Sequence, residues 1–365
     1  MGNGPRATAP LAETPLEHSP DRLRIGLLAN IPGFFEAFFT EIVERWRAGG
    51  HEVFLAAGPS SDGSSTEGIR TVPGITRRPR PVNRTVPAQL RDWVRTNDLD
   101  VVLTNTAIPS ALVRLARVRV PVVYLCHGLH WDRPGPADLP YLVMERMLLG
   151  ATAGVVTMNG DDAAWFAGRA PELPQIRLGG GIGLDTDRYA PHPFPAGPTL
   201  RLAWIGEFSA RKNPLAAVEV ARLLRARGIA FHLTMMGDGG LREATARRIS
   251  TLGLDGVVEL PGYGDAATLL IGSHAIVHTS AWEGLPRVLL EAYAIGRRTF
   301  AFDTKGVRDV PGVHLVRNGD VWALASAVAC EGMTPPVDAP RDLSYRQVAD
   351  ELLAFLSRIV RDCRR

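Results

Sequence analysis

The amino-acid sequence predicts an α/β protein made of two Rossmann-like, doubly wound parallel sheets that face a central cleft. Two observations carry this. Short apolar runs alternate with amphipathic helical stretches, the pattern of a parallel sheet covered on both faces. That alternation stops once, in a proline-dense stretch, and then restarts. The length of 365 residues agrees, since it exceeds what one hydrophobic core usually serves.

The elements follow in order. Residues 24–29 are a short apolar run ending in Asn-Ile-Pro-Gly, a first strand and its loop. Phe35 to Trp46 reads as one helix, stopped by Gly49-Gly50. Strands follow at 51–56, 100–103, 120–125 and 154–157, with helices at 110–117 and 139–149. From Arg188 to Pro198 the prolines can continue neither a helix nor a central strand. The second half then places strands at 200–205, 231–236, 257–260, 275–278 and 299–302. Its helices fall at 215–227, 241–252 and 287–295, and a last helix spans 345–360. The expected organisation is a disordered tail over 1–22, a first domain over 23–190, a linker over 191–199 and a second domain over 200–343. A C-terminal helix over 344–365 packs back toward the first domain.

Composition narrows the function classes. With 45% hydrophobic and 22% charged residues the chain reads as globular, and a net charge of +3 argues against nucleic-acid binding by bulk charge. Cys126, Cys330 and Cys363 form neither a metal-ligand spacing nor a disulfide framework, which fits a reducing cytoplasm. No apolar run is long enough to cross a bilayer, and the first residues lack a signal-peptide pattern.

The most informative segment is Ser280-Ala281-Trp282-Glu283-Gly284-Leu285-Pro286-Arg287-Val288-Leu289-Leu290-Glu291-Ala292. Its Glu-Gly-Leu-Pro turn opens a helix. A helix start offers free backbone N–H groups and the positive end of the dipole, a ready site for a diphosphate. Glu283 and Glu291 would repel phosphates and suit hydroxyl donors instead. Phosphates flanked by hydroxyl-rich groups describe a nucleotide-sugar. Lys212 follows a strand and a glycine loop. With Arg211 it would neutralise the diphosphate and the charge growing on the leaving nucleotide.

Several motifs, in order, resemble retaining family-4 glycosyltransferases of the GT-B fold. They are Gly206-Glu207-Phe208-Ser209-Ala210-Arg211-Lys212-Asn213, Met236-Gly237-Asp238-Gly239, Leu260-Pro261-Gly262 and the segment from Glu283 to Glu291. The stretch Gly296 to Asp309, with Thr304-Lys305-Gly306-Val307-Arg308-Asp309, fits as well. Cys126-His127-Gly128-Leu129-His130 and Val156-Thr157-Met158-Asn159-Gly160-Asp161-Asp162 resemble the branch that builds capsular and exopolysaccharide repeat units. One departure is Glu207, where many members carry an arginine.

The resemblance implies that Glu291 holds the ribose hydroxyls and that Glu283 faces the transferred sugar. His127, at a strand end, would contact the donor sugar or diphosphate. Catalysis falls to His127, Lys212 and Glu283. Donor binding adds Gly206, Arg211, Gly237, Gly239, Gly262, Gly284, Leu285, Arg287 and Glu291. Gly237 and Gly239 would let the backbone approach the donor closely, and Pro261, Gly262 and Tyr263 lie where the family lays the base. Gly33, Phe34 and His130 belong to the acceptor side. No metal or other cofactor is expected. The patterns Asp98-Leu99-Asp100 and Asp185-Thr186-Asp187 read as turns, not metal motifs.

The implied activity is retaining transfer from a nucleotide-diphosphate sugar, UDP-linked, to a polyprenyl-diphosphate-linked saccharide. A soluble natural-product acceptor is the competing reading. A UDP-sugar 2-epimerase or a non-catalytic GT-B partner protein belongs to other classes. Arg77, Arg78, Arg80 and Arg84 suggest peripheral contact with anionic lipid at the inner face of the membrane.

Overall fold

The computed structural model describes residues 22–60, 66–76, 85–129, 131, 135–336 and 343–365. The sequence-based expectations for the tail, for His130 and for Arg77, Arg78, Arg80 and Arg84 lie outside the described residues, apart from residue 22.

The first half contains β1 (Arg24–Ala29), α1 (Gly33–Phe38), α2 (Thr40–Ala48), β2 (Glu52–Ala57), β3 (Ile69–Thr71) and α3 (Thr85–Thr96). It continues with β4 (Val101–Asn105), α4 (Ala107–Ala116), β5 (Val122–Cys126), α5 (Leu139–Leu148), β6 (Gly154–Thr157), α6 (Gly160–Ala167) and β7 (Gln175–Arg177). The second half contains β8 (Leu200–Ile205), α7 (Pro214–Ala226), β9 (Phe231–Met236), α8 (Arg242–Thr251), β10 (Val258–Gly262) and α9 (Ala266–Gly272). It ends with β11 (Ala275–His278), α10 (Arg287–Ile295), β12 (Arg298–Asp303), β13 (Val313–Arg317), α11 (Val321–Glu331) and α12 (Tyr345–Arg364).

Two sheets result, ordered β3-β2-β1-β4-β5-β6-β7 and β10-β9-β8-β11-β12-β13. Every pairing is parallel. Central strands such as β4 and β5 are buried at every residue, as strands covered on both faces must be. In each sheet the strand order reverses beside the first strand, between β1 and β4 and between β8 and β11. These are the switch points outside which ligands bind in open α/β sheets.

The expected single helix over Phe35 to Trp46 is two helices. Phe39 leaves helical geometry at φ −125° and ψ −6° with its ring fully buried, so α1 and α2 meet at an angle. The last helix belongs to the first domain's core. Val348, Leu352, Phe355, Leu356 and Ile359 form its buried stripe at helical spacing, packed with Ile25, Trp46 and Val156. Trp46 Nε1 donates to Ala349 O at 2.8 Å, and Arg45 forks onto Asp350.

Candidate active site

Both switch-point loops of the second sheet converge. The loop after β8 carries Gly206 to Asn213; the loop after β11 carries Thr279 to Pro286. Buried Thr279 ties them: its hydroxyl accepts from Trp204 Nε1 at 3.0 Å and lies 3.0 and 2.9 Å from the carbonyls of Lys212 and Asn213. Ala281 N donates to Arg211 O at 2.8 Å. Sequence-distant Lys212 and Glu283 therefore meet.

Glu283, 7% exposed, holds both cations at once. Lys212 Nζ is 2.6 Å from its Oε1 and Arg211 Nη1 is 2.7 Å from its Oε2. His278 Nε2, buried at the end of β11, stands 3.4 Å from Oε1. Burial alone would raise the Glu283 carboxyl; His278, Lys212 and Arg211 together hold it well below the usual carboxylate range. The Lys212 stem packs over Gly206, where a Cβ would lie 3.4 Å from Lys212 Cδ. The Arg211 guanidinium lies over the Trp282 ring at 5.3 Å. Two cations share one carboxylate here, beside the start of α10, which no side chain caps.

Glu291 lies deeper along α10. Arg287 Nε is 3.0 Å from its Oε1, and Tyr189 also bonds it. Arg287 reaches on to the Tyr345 hydroxyl at 2.8 Å and to Ala37 O at 3.2 Å, which joins α10 to the first domain. Leu285 packs against the cores of both domains.

On the facing sheet, His127 follows β5. Its Nε2 is 3.3 Å from Asn105 Oδ1, at the end of β4, and Asn105 Nδ2 lies 3.5 Å from Leu28 O. With the Asn105 amide donating to that carbonyl, its oxygen faces His127, so Nε2 carries the proton and Nδ1 is left as an acceptor. The Phe34 ring stands edge-on to the imidazole at 5.0 Å, and Gly33 opens α1 just before it. Desolvation pushes His127 down from 6.5 to about 4, so the ring is neutral near pH 7. A lowered histidine pKa means the unfolded chain binds the extra proton first, so stability is present above about 6.5 and lost as pH falls toward about 4. Unfolding titrations of His127→Gln should show a shallower loss across that window, by about 1–2 kcal/mol once the ring's partial exposure is allowed for. Equal slopes would contradict the assignment.

The domains touch backbone to backbone. A Cβ on Gly284 would lie 1.6 Å from His127 O, and one on Gly128 would lie 2.5 Å from Gly284 Cα. No side chain fits at either position. Polar bridges surround this contact. Asn159 Nδ2 donates to Gly284 O at 2.7 Å, and Gly160 N to Asp309 Oδ1 at 2.9 Å. Arg177 pairs with Asp309 at 2.8 Å, and Arg308 with Asp161 at 3.2 Å. Lys305, only 1% exposed, pairs with Asp162 at 2.7 Å and donates to the carbonyls of Leu129 and Trp131.

Gly237 and Gly239 sit tightly against the loop after β8. At φ +134° and +150° their Cβ positions would meet Gly206 O at 2.0 Å and Phe208 O at 2.7 Å. Their bareness seats the neighbouring loop, which carries Arg211 and Lys212. Gly262 O accepts from Gly237 N at 2.8 Å and extends the same stack. Asp98 and Asp185 stand in turns. Asp98 has φ +46°, and the Asp185 carboxylate accepts from Asp187 N and Arg188 N. Sequence reasoning passed over His278 and Asn105, lone polar residues at strand ends, and gave Lys305, Asp162 and Asn159 no role.

Two parallel α/β sheets thus face each other across a cleft that holds a cation–carboxylate cluster. Two family models match: "Glycosyltransferase Family 4" over residues 35–178 and "Glycosyl transferases group 1" over residues 199–330. The chain belongs to these glycosyltransferases, and its fold is GT-B. It is 26% identical over 330 residues to a Bacillus subtilis (strain 168) protein named as the glycosyltransferase EpsD, covering 84% of this chain and 86% of that one. Amylovoran biosynthesis glycosyltransferase AmsK of Erwinia amylovora is 27% identical over 181 residues, 42% of this chain and 44% of AmsK. Among solved structures, Anabaena HepE in complex with UDP superposes with a TM-score of 0.73 at 16% identity, over 92% of this chain and all of that one. A Rickettsia africae glycosyltransferase gives 0.73 at 15%, over 93% and 99%.

Proposed function

We propose that this glycosyltransferase moves a sugar from a nucleotide-diphosphate donor, UDP-linked, to a hydroxyl of a polyprenyl-diphosphate-linked saccharide. The transfer retains anomeric configuration, needs no metal and serves exopolysaccharide or cell-surface glycan assembly at the cytoplasmic face of the membrane. The observation that carries this is the clamp of Lys212 and Arg211 on Glu283 beside the uncapped start of α10. A diphosphate arriving at that helix start would draw the two cations away from Glu283. The released carboxylate then faces the sugar, accepting its hydroxyls and stabilising positive charge at the anomeric carbon. Neutral His127 offers Nδ1 as an acceptor to a sugar hydroxyl from the opposite domain.

The reaction we favour is same-face attack. The acceptor oxygen bonds to the anomeric carbon, the bond from that carbon to the phosphate oxygen breaks, and the acceptor proton passes to the departing phosphate. Lys212 and the helix start stabilise that phosphate as it leaves. The UDP carried by HepE and the polysaccharide name of AmsK support the choice of donor and acceptor class.

Calorimetric titration with UDP and UDP-sugars, coupled to a nucleotide-release assay, tests this reading. Binding of UDP should weaken at least about tenfold in Lys212→Ala. Failure of every nucleotide-sugar to bind or release nucleotide would refute it.

A further inference from the structure

Residues two apart on a strand share a face. On β11, Ile276 packs with Leu289 and Leu290 of α10, and His278 follows on that side at the strand's last position. The imidazole is buried, and its strand is held between β8 and β12. His278 Nε2 makes no hydrogen bond among the described residues. Glu283 Oε1 is 3.4 Å away, near enough to feel the charge and too far for a formed bond. That oxygen is taken by Lys212 Nζ at 2.6 Å. Facing a carboxylate, which only accepts, Nε2 is the protonated nitrogen. A buried N–H without an acceptor costs stability, and the cost ends in any state that frees Oε1.

We propose that His278 is a positioning residue for Glu283 in the donor-loaded site: once Lys212 and Arg211 turn to the diphosphate, the His278 Nε2–H closes onto Oε1 and aims the carboxylate at the sugar. This rests on Glu283 facing the transferred sugar. The two cations serve the carboxylate only until a diphosphate claims them. Glu283 N, bonded to Lys305 O at 3.0 Å, fixes the backbone and leaves the side-chain torsions to other partners. The imidazole is the buried donor that remains beside Oε1. Desolvation lowers the His278 pKa against the opposing pull of Glu283, so the ring is neutral near pH 7. A neutral donor orients the carboxylate without cancelling the negative charge it offers at the anomeric carbon. A lysine at the same place would neutralise it.

Steady-state kinetics and UDP calorimetry on the full chain test this. His278→Leu should lower kcat about 10–100-fold while donor KM and UDP affinity stay within about twofold. Its melting temperature should hold, since the free site makes no bond through Nε2. His278→Gln, whose amide N–H reaches the Nε2 position, should regain most of the rate. On a Glu283→Ala background, His278→Leu should cost nothing further. Unchanged kcat in His278→Leu would overturn the proposal, as would equal losses in the two His278 variants. If Glu283→Ala itself keeps the full rate, the role of Glu283 falls first; if His278→Leu alone keeps it, only the positioning role falls. A second readout needs no folded His278→Leu. NMR of histidine-labelled protein should show one ring N–H, absent in His278→Gln, that moves downfield when UDP binds and stays in place in Glu283→Ala. A ring N–H that bound UDP leaves unshifted would also overturn the proposal.

Discussion

Replacing Glu283 with alanine is expected to lower the transfer rate by about 10²–10³-fold while donor affinity holds or rises. The carboxylate is buried and shared by Lys212 and Arg211. Its loss leaves two cations uncompensated beside the start of α10, which favours a diphosphate in the ground state. In the proposed reaction, what disappears is the acceptor for the sugar's hydroxyls and the negative charge near the anomeric carbon. The effect therefore falls on kcat rather than KM. Glu283→Gln, which keeps shape and hydrogen bonding but not the charge, should bind donor as well and still not recover the rate. A rise in KM at constant kcat would show that Glu283 serves binding alone. Lys212→Ala should raise KM and lower kcat together, since in the proposed reaction its ammonium meets the donor phosphate before and during departure.

Lys305→Met is expected to cost about 3–5 kcal/mol of stability, because it strands Asp162 in a dry interface with no counter-charge. Lys305 also satisfies the carbonyls of Leu129 and Trp131, so one substitution leaves three acceptors without their donor. Asp162 in turn accepts from Leu129 N and Asn159 Nδ2, and Asn159 reaches Gly284 O. The damage should spread to the placement of His127 over Gly284, and turnover should fall with stability. Adding Asp162→Leu to Lys305→Met should restore part of the stability, since no lone charge is then buried, while turnover stays low. Denaturant unfolding of the single and double variants measures the difference. Additive losses would refute the pairing.

Much of this architecture is visible in the residue order. Apolar runs such as Val101–Asn105 and Val122–Cys126 read as buried parallel strands because they are buried on both sides. Others escape for physical reasons. α11, Val321–Glu331, is rich in Ala and Val and has no polar face to mark a helical period. β3, β7 and β13 are short or half-exposed edge strands with little apolar signal. At the site, Lys212 and Glu283 are legible as separate motifs, and their direct pairing is not. It depends on the strand order, which brings the ends of β8 and β11 together. Gly237 and Gly239 show the limit of motif reasoning. The glycines can be seen in the sequence, but not that a Cβ on Gly237 would come within 2.0 Å of Gly206 O.

The placement of α12 has a consequence for how the chain is made. Residues 345–364 leave the ribosome after β8 to α11, yet they complete the core over β1, β5 and β6. Synthesis normally lets the first domain fold first. Here β8 to α11 can assemble while the earlier sheet still shows one bare face, with Ile25, Trp46 and Val156 awaiting their partners. The order of folding is inverted relative to the order of translation. A nascent chain arrested before residue 345 should hold a protease-resistant second half and a digestible first half.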